Sequence, residues 1–441
     1  MTGMFSLPKR ERVCATWERL SLRSILDSRS ERNRPDLPLL TVARERGVFV
    51  RTDEDNNHNV VPDDLSNYKV AHAGDLVINK MKSWQGSLGL APVDGIVSPA
   101  YFVFEANFAV PQFGEYLLRS KPLVAEFARA SDGVRIGQWD LDIPRMRNIV
   151  VSLPSAEEQA AIVKYLAHAN ARIDNAIAAK RRLIALLEEQ QSVIIQRLIY
   201  QAVMPMVPIK RTLQSMTAGV WGASPEESNE PSIWCVRVAD FDYMHNAVHH
   251  EPKTMRAVSE SEAKRKVLKS GDLLLEGSGG GDKTSVGRVV LFESEEPAIC
   301  SNFLQRLRPI EGVHSGYLAH VLRDLHSSGS VRAYIKQTTG IQNLDLDAYR
   351  SVLIPMPDRE IQSSICHEID DALNENDVII ERVHREIVLL QEFRTRLVAD
   401  VVTGQVDVRA VAETLPDPSM PDVSLDEDGI DLDDLYGHED D

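Results

Sequence analysis

A glycine-rich stretch, residues 277–284, carries the residue types of a phosphate-binding loop. It reads Gly-Ser-Gly-Gly-Gly-Asp-Lys-Thr and resembles a P-loop, whose backbone N–H groups cradle phosphates. That motif requires glycine immediately before the lysine, whereas Asp282 occupies this position and would bring negative charge toward bound phosphates. We therefore interpret the stretch as a loop without nucleotide chemistry, whose glycines allow close approach to another backbone.

Asp240 and the later sequence Glu251-Pro252-Lys253 supply the residue types of a metal-dependent nuclease site. Such a site needs a strand at this point, and proline removes a backbone donor from a strand, so the assignment is not favoured. The pair His249-His250 has no second ligand cluster in the sequence, which predicts an exposed pair. The sequence therefore predicts neither catalytic nor metal-binding residues.

The cysteines and the apolar runs bear on the cellular compartment. The cysteines lie far apart without a C-x-x-C pair, at Cys14, Cys235, Cys300 and Cys366. This spacing argues against a zinc site or a disulfide framework and favours a reducing cytoplasm. No apolar run approaches the ~18–20 residues of a membrane span. Residues 1–12 reach Lys9 and Arg10 too early for a signal peptide. We expect a cytoplasmic protein without a membrane segment.

The net charge of −17 is unevenly distributed along the chain. Residues 411–441 contain 12 acidic and no Lys or Arg residues, whereas residues 1–154 and 205–357 are each close to neutral. Basic patches can therefore exist in the two large segments despite the overall charge. The charge and lack of periodicity predict that residues 405–441 form an acidic, disordered tail.

The chain contains an internal repeat with a period of about 200 residues. Residues 153–162, Leu-Pro-Ser-Ala-Glu-Glu-Gln-Ala-Ala-Ile, recur at residues 356–365 as Met-Pro-Asp-Arg-Glu-Ile-Gln-Ser-Ser-Ile. Upstream, the tripeptide Gly-Asp-Leu at residues 74–76 recurs at residues 271–273. Each half therefore consists of a mixed segment of roughly 150 residues followed by a long helical segment.

Helical periodicity follows each copy of the anchor sequence. In residues 155–204 and 358–404, apolar residues recur at steps of four and three, which average the α-helical period. Ser155 with Glu158 forms a capping box at the first start, and Gly404 is a typical stop for the second helix. Helices of about 45 residues would be roughly 65–70 Å long.

A single apolar stripe on so long a helix needs a partner, and the other copy is the nearest candidate. We predict an antiparallel coiled coil, with an ordinary helical hairpin as the alternative. Lys180, Gln190 and Asn376 interrupt the stripes and indicate positions that fix register or contact another chain. The residues expected to pair the helices are Ile162, Leu166, Ile173, Ile184, Leu187, Ile194, Ile365, Ile369, Ile379, Ile387, Leu390 and Leu397.

The two mixed segments, residues 1–154 and 205–357, show the same order of predicted elements. In each, strands follow the Gly-Asp-Leu tripeptide, and a helical stretch follows the strands, at residues 113–130 and 317–325. Continuous strands are predicted at residues 96–104, 286–292 and 299–307. The fold class is therefore α+β: two similar domains separated by a pair of long antiparallel helices, with a pseudo-two-fold internal duplication.

From about residue 15 to residue 410, the chain resembles the specificity subunits of type I restriction–modification systems. The resemblance lies in the two-copy layout, in the anchors that open the helices, and in residues 74–86 and 96–101. The chain has Ser155-Ala156 where the family often has Pro-Leu, and Ile361 where it often has Glu. The acidic tail lies outside the resemblance.

The resemblance implies a non-catalytic, DNA-binding subunit. Each mixed segment would be a target recognition domain that reads one half of a bipartite site in double-stranded DNA. The helices would set the half-site spacing and dock two methyltransferase subunits, which bind S-adenosylmethionine and methylate adenine N6. Motor–nuclease subunits would join for restriction.

Candidate DNA contacts follow from residue type and loop position. Lys and Arg suit phosphates or guanine, Gln suits adenine, and Trp can wedge or stack. In the first domain the candidates are Lys80, Lys82, Trp84, Gln85, Arg135, Gln138 and Trp139. In the second domain they are Lys283, Ser285, Arg288, Gln342 and Asn343.

Two other functions remain open from the sequence, a stand-alone DNA-acting enzyme such as a nuclease and a coiled-coil scaffold that binds proteins rather than DNA. The acidic tail is either a solubilising extension or a segment that competes with DNA phosphates for a basic surface.

Overall fold

The computed structural model describes residues 16–417 except residues 45, 53–61, 63, 136–137, 202–203, 244, 281–284 and 339–340. The described residues form two compact units. Unit 1 comprises residues up to 180 together with those from 385 to 417, and unit 2 comprises residues 181–384. These units differ from the linear division drawn from the repeat, because each contains one mixed segment together with parts of both long helices. No helix of the described residues is long and apolar enough to cross a membrane.

The described chain alternates short strands with helices. The strands before the first long helix are β1 (Glu18–Ser21), β2 (Leu26–Arg29), β3 (Leu40–Ala43), β4 (Gly47–Val50), β5 (Lys69–Ala71), β6 (Leu76–Asn79), β7 (Leu88–Leu90), β8 (Gly95–Val97), β9 (Tyr101–Ala106), β10 (Ser131–Arg135), β11 (Gln138–Leu141) and β12 (Val150–Leu153). The later strands are β13 (Met206–Pro208), β14 (Leu213–Ala218), β15 (Ser232–Val236), β16 (Phe241–Asp242), β17 (Ala247–Val248), β18 (Met255–Ala257), β19 (Asp272–Glu276), β20 (Ser278–Gly279), β21 (Val289–Phe292), β22 (Ala298–Cys300), β23 (Leu304–Pro309), β24 (Ile335–Thr338), β25 (Ile341–Leu344) and β26 (Leu353–Pro355). The α-helices are α1 (Pro111–Leu118), α2 (Lys121–Arg129), α3 (Ile143–Arg147), α4 (Ala156–Ile199), α5 (Glu260–Lys266), α6 (Ser315–Ser327), α7 (Leu346–Tyr349), α8 (Arg359–Val402) and α9 (Arg409–Thr414).

Each unit is built on a four-stranded antiparallel sheet. The strand order is β2-β9-β6-β7 in unit 1 and β14-β23-β19-β21 in unit 2. The two sheets therefore have the same order: β2 matches β14, β9 matches β23, β6 matches β19 and β7 matches β21. The central strands are continuous apolar runs because both faces of each sheet are covered. In β19, Leu273 and Leu275 lie in one core cluster and Leu274 in another, and β6 shows the same alternation.

The Gly-Asp-Leu tripeptide builds the entry to the central strand. In unit 1, Gly74 has a φ of 89°, a conformation that glycine adopts without a Cβ penalty. The buried carboxylate of Asp75 accepts a hydrogen bond from the His72 backbone N–H at 2.9 Å and pairs with Arg29, with 2.7 Å between Arg29 Nε and Asp75 Oδ2. The tripeptide therefore ends a tight turn and supplies a buried carboxylate, whose charge Arg29 neutralises.

Unit 2 repeats this arrangement. Gly271 has a φ of 91°, and the buried Asp272 accepts from the Lys269 backbone N–H at 2.8 Å. Arg308 binds Asp272 in a bidentate pair, with Nε–Oδ1 at 2.7 Å and Nη2–Oδ2 at 2.6 Å. The same turn chemistry thus explains why the tripeptide occurs in both halves.

The glutamine of each anchor joins a long helix to its globular part. Gln159 is buried, donates from Nε2 to the Pro154 carbonyl at 3.0 Å, and accepts at Oε1 from the Val110 N–H at 3.1 Å. Val110 is the residue that precedes α1, so this bond satisfies a backbone donor at a helix start. The anchor is therefore a tertiary junction as well as a helix start.

In unit 2, Gln362 makes the corresponding bonds to Pro357 O at 2.7 Å and from His314 N at 2.8 Å. We expect Gln362→Leu to lower the free energy of unfolding of unit 2 by about 1–3 kcal/mol, because it leaves both backbone groups without their partner. Gln190→Leu, on the exposed surface of α4, is the matched control and should change stability little. Denaturant unfolding of both variants measures the difference; equal stabilities would contradict this role of Gln362.

The long helices α4 and α8 pair in antiparallel orientation within each unit. In unit 1, Asp174 pairs with Arg394 and Lys180 with Glu386, so numbers rise along one helix as they fall along the other. In unit 2, Gln191 donates to Asp377. Lys180 thus has a partner on the facing helix, as expected of a register-fixing position. At the second expected position, the buried residue is Gln191, whereas Gln190 is exposed.

The expected helix-pairing residues are mostly buried. Fully buried are Ile162, Leu166, Ile173, Ile184, Ile365, Ile369, Ile387 and Leu397. Half-buried are Leu187, Ile194, Ile379 and Leu390. Late in α4 the buried stripe lies one residue further on, at Ile195 and Ile199, because this end of the helix packs into the core of unit 2.

Several expected boundaries are corrected by the structure. Residues 113–130 form two helices, since Ser120 begins α2 and Pro122 lies in its first turn. The strands expected at residues 96–104 and 299–307 are each split between two sheets. The strand expected from residue 286 begins at Val289, after Gly287 with a φ of 103°.

The prediction of disorder from residue 405 onward is wrong for the described part of the tail. Residues 409–414 form α9, and Val406, Val408 and Ala412 are buried in the core of unit 1. Val406 and Val408 precede α9 and Ala412 lies within it, and the burial of these apolar side chains holds the segment against unit 1. Residues 418–441 lie outside the described residues.

Candidate nucleic-acid interface

In unit 1, the loop after β6 meets the hairpin formed by β10 and β11. Asn79 starts the loop by accepting from the Met81 N–H at 3.1 Å, and a 3-10 turn, Ser83–Gln85, follows. Gly86, with a φ of 91°, ends that turn. The Leu141 N–H donates to the Lys80 carbonyl at 3.1 Å, which fixes the loop against the hairpin.

Aromatic and charged side chains lie where the loop and the hairpin meet. The rings of Trp84 and Trp139 are 5.0 Å apart between centroids, and the Trp84 indole N–H donates to the Met81 carbonyl at 3.0 Å. Lys80 Nζ lies 2.6 Å from Asp140 Oδ2 in a pair that is open to solvent. Such an exposed ion pair is weak, so a phosphate can replace Asp140 as the partner of Lys80 at small cost.

The structure therefore brings together five of the seven candidate contacts of the first domain. Lys80, Lys82, Trp84 and Gln85 share the loop, and Trp139 lies against it. Arg135 and Gln138 are paired residues of the hairpin, and their side chains lie outside the described part of the structure.

In unit 2, the described part of the glycine-rich stretch, residues 277–280, lies at the corresponding place, after the central strand β19. Its start forms β20, which joins β25 and β24 in a three-stranded sheet, with Ser278 opposite Asn343 and Gly279 opposite Gln342. Gly277 also donates to the Phe303 carbonyl at 2.9 Å. The glycines thus allow close backbone approach, as expected. Lys283 lies outside the described residues.

Arg288 is committed to an internal partner. It binds Glu276 with 2.7 Å between Nε and Oε2, and its guanidinium lies 4.5 Å from the centroid of the Tyr243 ring. Glu276 is only 1% exposed, so its carboxylate requires this counter-charge. Arg288 therefore stabilises the start of the loop through Glu276. These contacts do not favour the prediction that Arg288 contacts DNA.

The other candidates of the second domain also have partners inside the unit. The Asn343 amide oxygen accepts from Ser278 Oγ at 2.6 Å, and the Gln342 oxygen accepts from the Val286 N–H at 3.2 Å. Ser285 Oγ lies 3.3 Å from Nε2 of His326. Burial lowers the pKa of His326, so this imidazole is neutral at neutral pH. These residues shape the loop–hairpin junction.

Exposed apolar residues lie at both junctions, although no sequence pattern indicated them as candidate contacts. Met81 in the first loop and both Phe303 and Ile341 beside the second are exposed, Phe303 to 46%. Large exposed apolar side chains among polar neighbours are suited to wedge against bases or sugars. The sequence pattern predicts a strand through Phe303, and the exposure of this residue follows from the break between β22 and β23.

The residues that suggested a nuclease do not form a site. Asp240 is buried and binds its neighbour Arg237, with 2.9 Å between Oδ1 and Nη2, while Lys253 pairs with Glu296. Among the described residues, no group of three His, Cys, Asp or Glu side chains is placed to hold a metal ion. The structure thus gives no support to a metal-dependent nuclease at Asp240.

Comparison with known proteins yields structural matches alone, since no family model and no curated protein matches this chain. A chain solved in a study of complex assembly and conformational transition of the type I R-M system has a TM-score of 0.60 at 16% identity, covering 91% of this chain and 100% of that chain. The HsdS subunit from Thermoanaerobacter tengcongensis has a TM-score of 0.42 at 18% identity, covering 93% and 100%. A type I restriction-modification S subunit from M. genitalium has a TM-score of 0.35 at 12% identity, covering 91% and 98%.

The first of these matches shows that this chain has the fold of a type I restriction–modification chain along nearly its whole length. The resemblance drawn from the sequence is thereby confirmed at the level of the fold. In this chain, that fold is a mixed helix and strand architecture with one long helix pair.

Proposed function

We propose that this chain is the DNA-specificity subunit of a type I restriction–modification complex. The observation that carries the proposal is that, in each unit, the segment after the central strand of the four-stranded sheet meets a hairpin, in a fold shared with a chain of such a system. We infer that the two halves arose by duplication. Residues 1–154 and 205–357 are then target recognition domains, each reading one half of a bipartite site.

The composition of the junction in unit 1 supports DNA recognition. Cations such as Lys80 and Lys82 suit phosphates, which position a protein on the duplex, while Gln85 and exposed apolar side chains suit base edges. The subunit itself would be non-catalytic. Adenine methylation and its cofactor S-adenosylmethionine belong in this proposal to two methyltransferase subunits, and cleavage to motor–nuclease subunits.

The long helices are proposed as spacer and docking surface. Exposed apolar residues lie on their outer faces, at Leu183, Leu186, Val193 and Val378 in unit 2 and at Val388 and Leu389 in unit 1. Apolar side chains that remain exposed on already paired helices are available to a protein partner, and contiguous apolar surface is typical of such interaction sites. We assign these faces to the methyltransferase subunits.

Lys80→Ala tests the DNA-binding role. We expect affinity to fall uniformly across DNA sequences and the salt slope of binding to drop by about one charge, because a phosphate contact is lost. If Trp84 contacts bases, Trp84→Ala should instead change which bases are preferred in one half-site of the DNA. Fluorescence anisotropy over a series of salt concentrations measures both effects.

The control is Arg197→Ala, which removes an exposed cation from α4 and the same amount of charge. It should leave the salt slope unchanged. If Lys80→Ala and Arg197→Ala behave alike, Lys80 makes no specific phosphate contact and the proposed interface in unit 1 is wrong.

A further inference from the structure

A cationic cavity lies in unit 1 between α1, α2 and the paired long helices. It has a volume of about 730 Å³ and is lined by Arg44, Arg119, Lys121 and Arg394, with Glu115 as the acidic residue of its wall. Its lining carries more positive than negative charge, and concave walls focus the potential of such a cluster. The cavity therefore suits an anionic occupant.

The cations of the wall differ in how far they are already paired. Arg119 pairs with Glu115 at 3.3 Å, and Arg394 pairs with Asp174 of α4. Lys121 is exposed, and no ion pair of it is found among the described residues. Lys121 is therefore the cation of the wall that an anionic occupant can pair with directly.

The described chain stops beside α4, the helix whose Asn170 lines the cavity. The Asp417 carboxylate pairs with Lys164 at 2.8 Å, and the Pro416 carbonyl lies 2.8 Å from Nε2 of His168. Lys164 and Asn170 are six residues apart on α4, roughly 9 Å along the helix axis and about 120° apart around it. Five extended residues beyond Asp417 reach roughly 17 Å, so the following segment can enter the cavity.

We propose that residues 418–441 bind in this cationic cavity as an acidic, intramolecular ligand. This segment contains ten Asp or Glu residues and neither Lys nor Arg, so its charge is complementary to the lining. The cavity is also lined by Gln85 and Gly86 of the candidate DNA-binding loop. The bound segment therefore competes with DNA phosphates, a consequence that rests on the proposed function.

Carbodiimide cross-linking of the full-length chain tests the binding directly, because it joins carboxylates to lysine amines in contact. Lys164 and Asp417 provide the internal positive control, and the exposed Lys264 of unit 2 provides the background. We expect Lys121 to link to residues 418–441 at least about five times more often than Lys264 does, and the link to disappear in high salt, where ion pairs are screened. Lys121→Arg keeps the charge and must abolish the link.

Links at Lys121 no more frequent than at Lys264 would overturn the proposal. The effect on DNA is measured separately, by replacing the ten acidic residues with Asn or Gln, which should raise DNA affinity about tenfold at low salt. A clear Lys121 link without this gain overturns the competition with DNA. A clear link in a chain that binds no DNA in either form refutes the proposed function and leaves the intramolecular binding established.

Discussion

Ile387→Asp is expected to separate the paired helices in unit 1 at a cost of about 4–5 kcal/mol, from lost apolar burial and from a carboxylate without a partner. Ile387 is 6% exposed and directly follows Glu386, which pairs with Lys180 of the facing helix. An average domain is stable by only about 5–15 kcal/mol, so this loss removes much of the stability of unit 1. Guanidinium unfolding followed by circular dichroism measures the loss.

Leu389→Asp is the matched control, with the same kind of change two residues later in α8. Leu389 is 61% exposed, so its replacement should leave the unfolding midpoint nearly unchanged. If the outer face docks methyltransferase subunits, this variant should fold normally and bind those subunits more weakly. Equal destabilisation by both substitutions would show that Ile387 does not face the helix pair.

Asp272→Ala is expected to destabilise unit 2 by about 3–5 kcal/mol, because it leaves the Arg308 guanidinium without its counter-charge. Asp272 is 1% exposed, and its carboxylate accepts two bonds from Arg308 and one from the Lys269 N–H. The loss of the turn bond adds to the effect. The unfolding transition of unit 2 should therefore shift strongly.

The double variant Asp272→Leu with Arg308→Met separates charge burial from packing. It removes both charges and fills similar volume, so it should be more stable than Asp272→Ala. Glu260→Ala, which breaks the exposed pair of Glu260 with Lys264, should have little effect. A double variant less stable than Asp272→Ala would contradict the unpaired-charge explanation.

The features that sequence alone could predict are those with local causes. The helix period, the cap at Ser155 and the stop at Gly404 depend on neighbouring residues, and the structure has Ser155 Oγ accepting from the Glu158 N–H at 3.3 Å and Gly404 at a φ of 67°. The repeat predicts where both central strands begin. Why aspartate recurs in Gly-Asp-Leu depends on its arginine partner, which is distant in sequence.

The features that sequence missed depend on distant residues. Arg288 has the residue type of a DNA contact, but Glu276, twelve residues earlier in the chain, binds it. The buried stripe of α4 shifts to Ile195 and Ile199 because this end of the helix packs into the globular core of unit 2 as well as against α8. Phe303 becomes exposed because the chain leaves one sheet for another at this point. Tertiary partners thus override residue type in each case.

The measurement that tests the central claim most directly is a map of methylated adenines in three kinds of cells. They carry the complex with this chain, the complex without this chain, or the complex with residues 15–150 of this chain exchanged for those of another specificity subunit. We predict a bipartite motif whose methylation requires this chain, and a change in one half of that motif after the exchange. Changes in both halves, or the same methylation without the chain, would contradict the account.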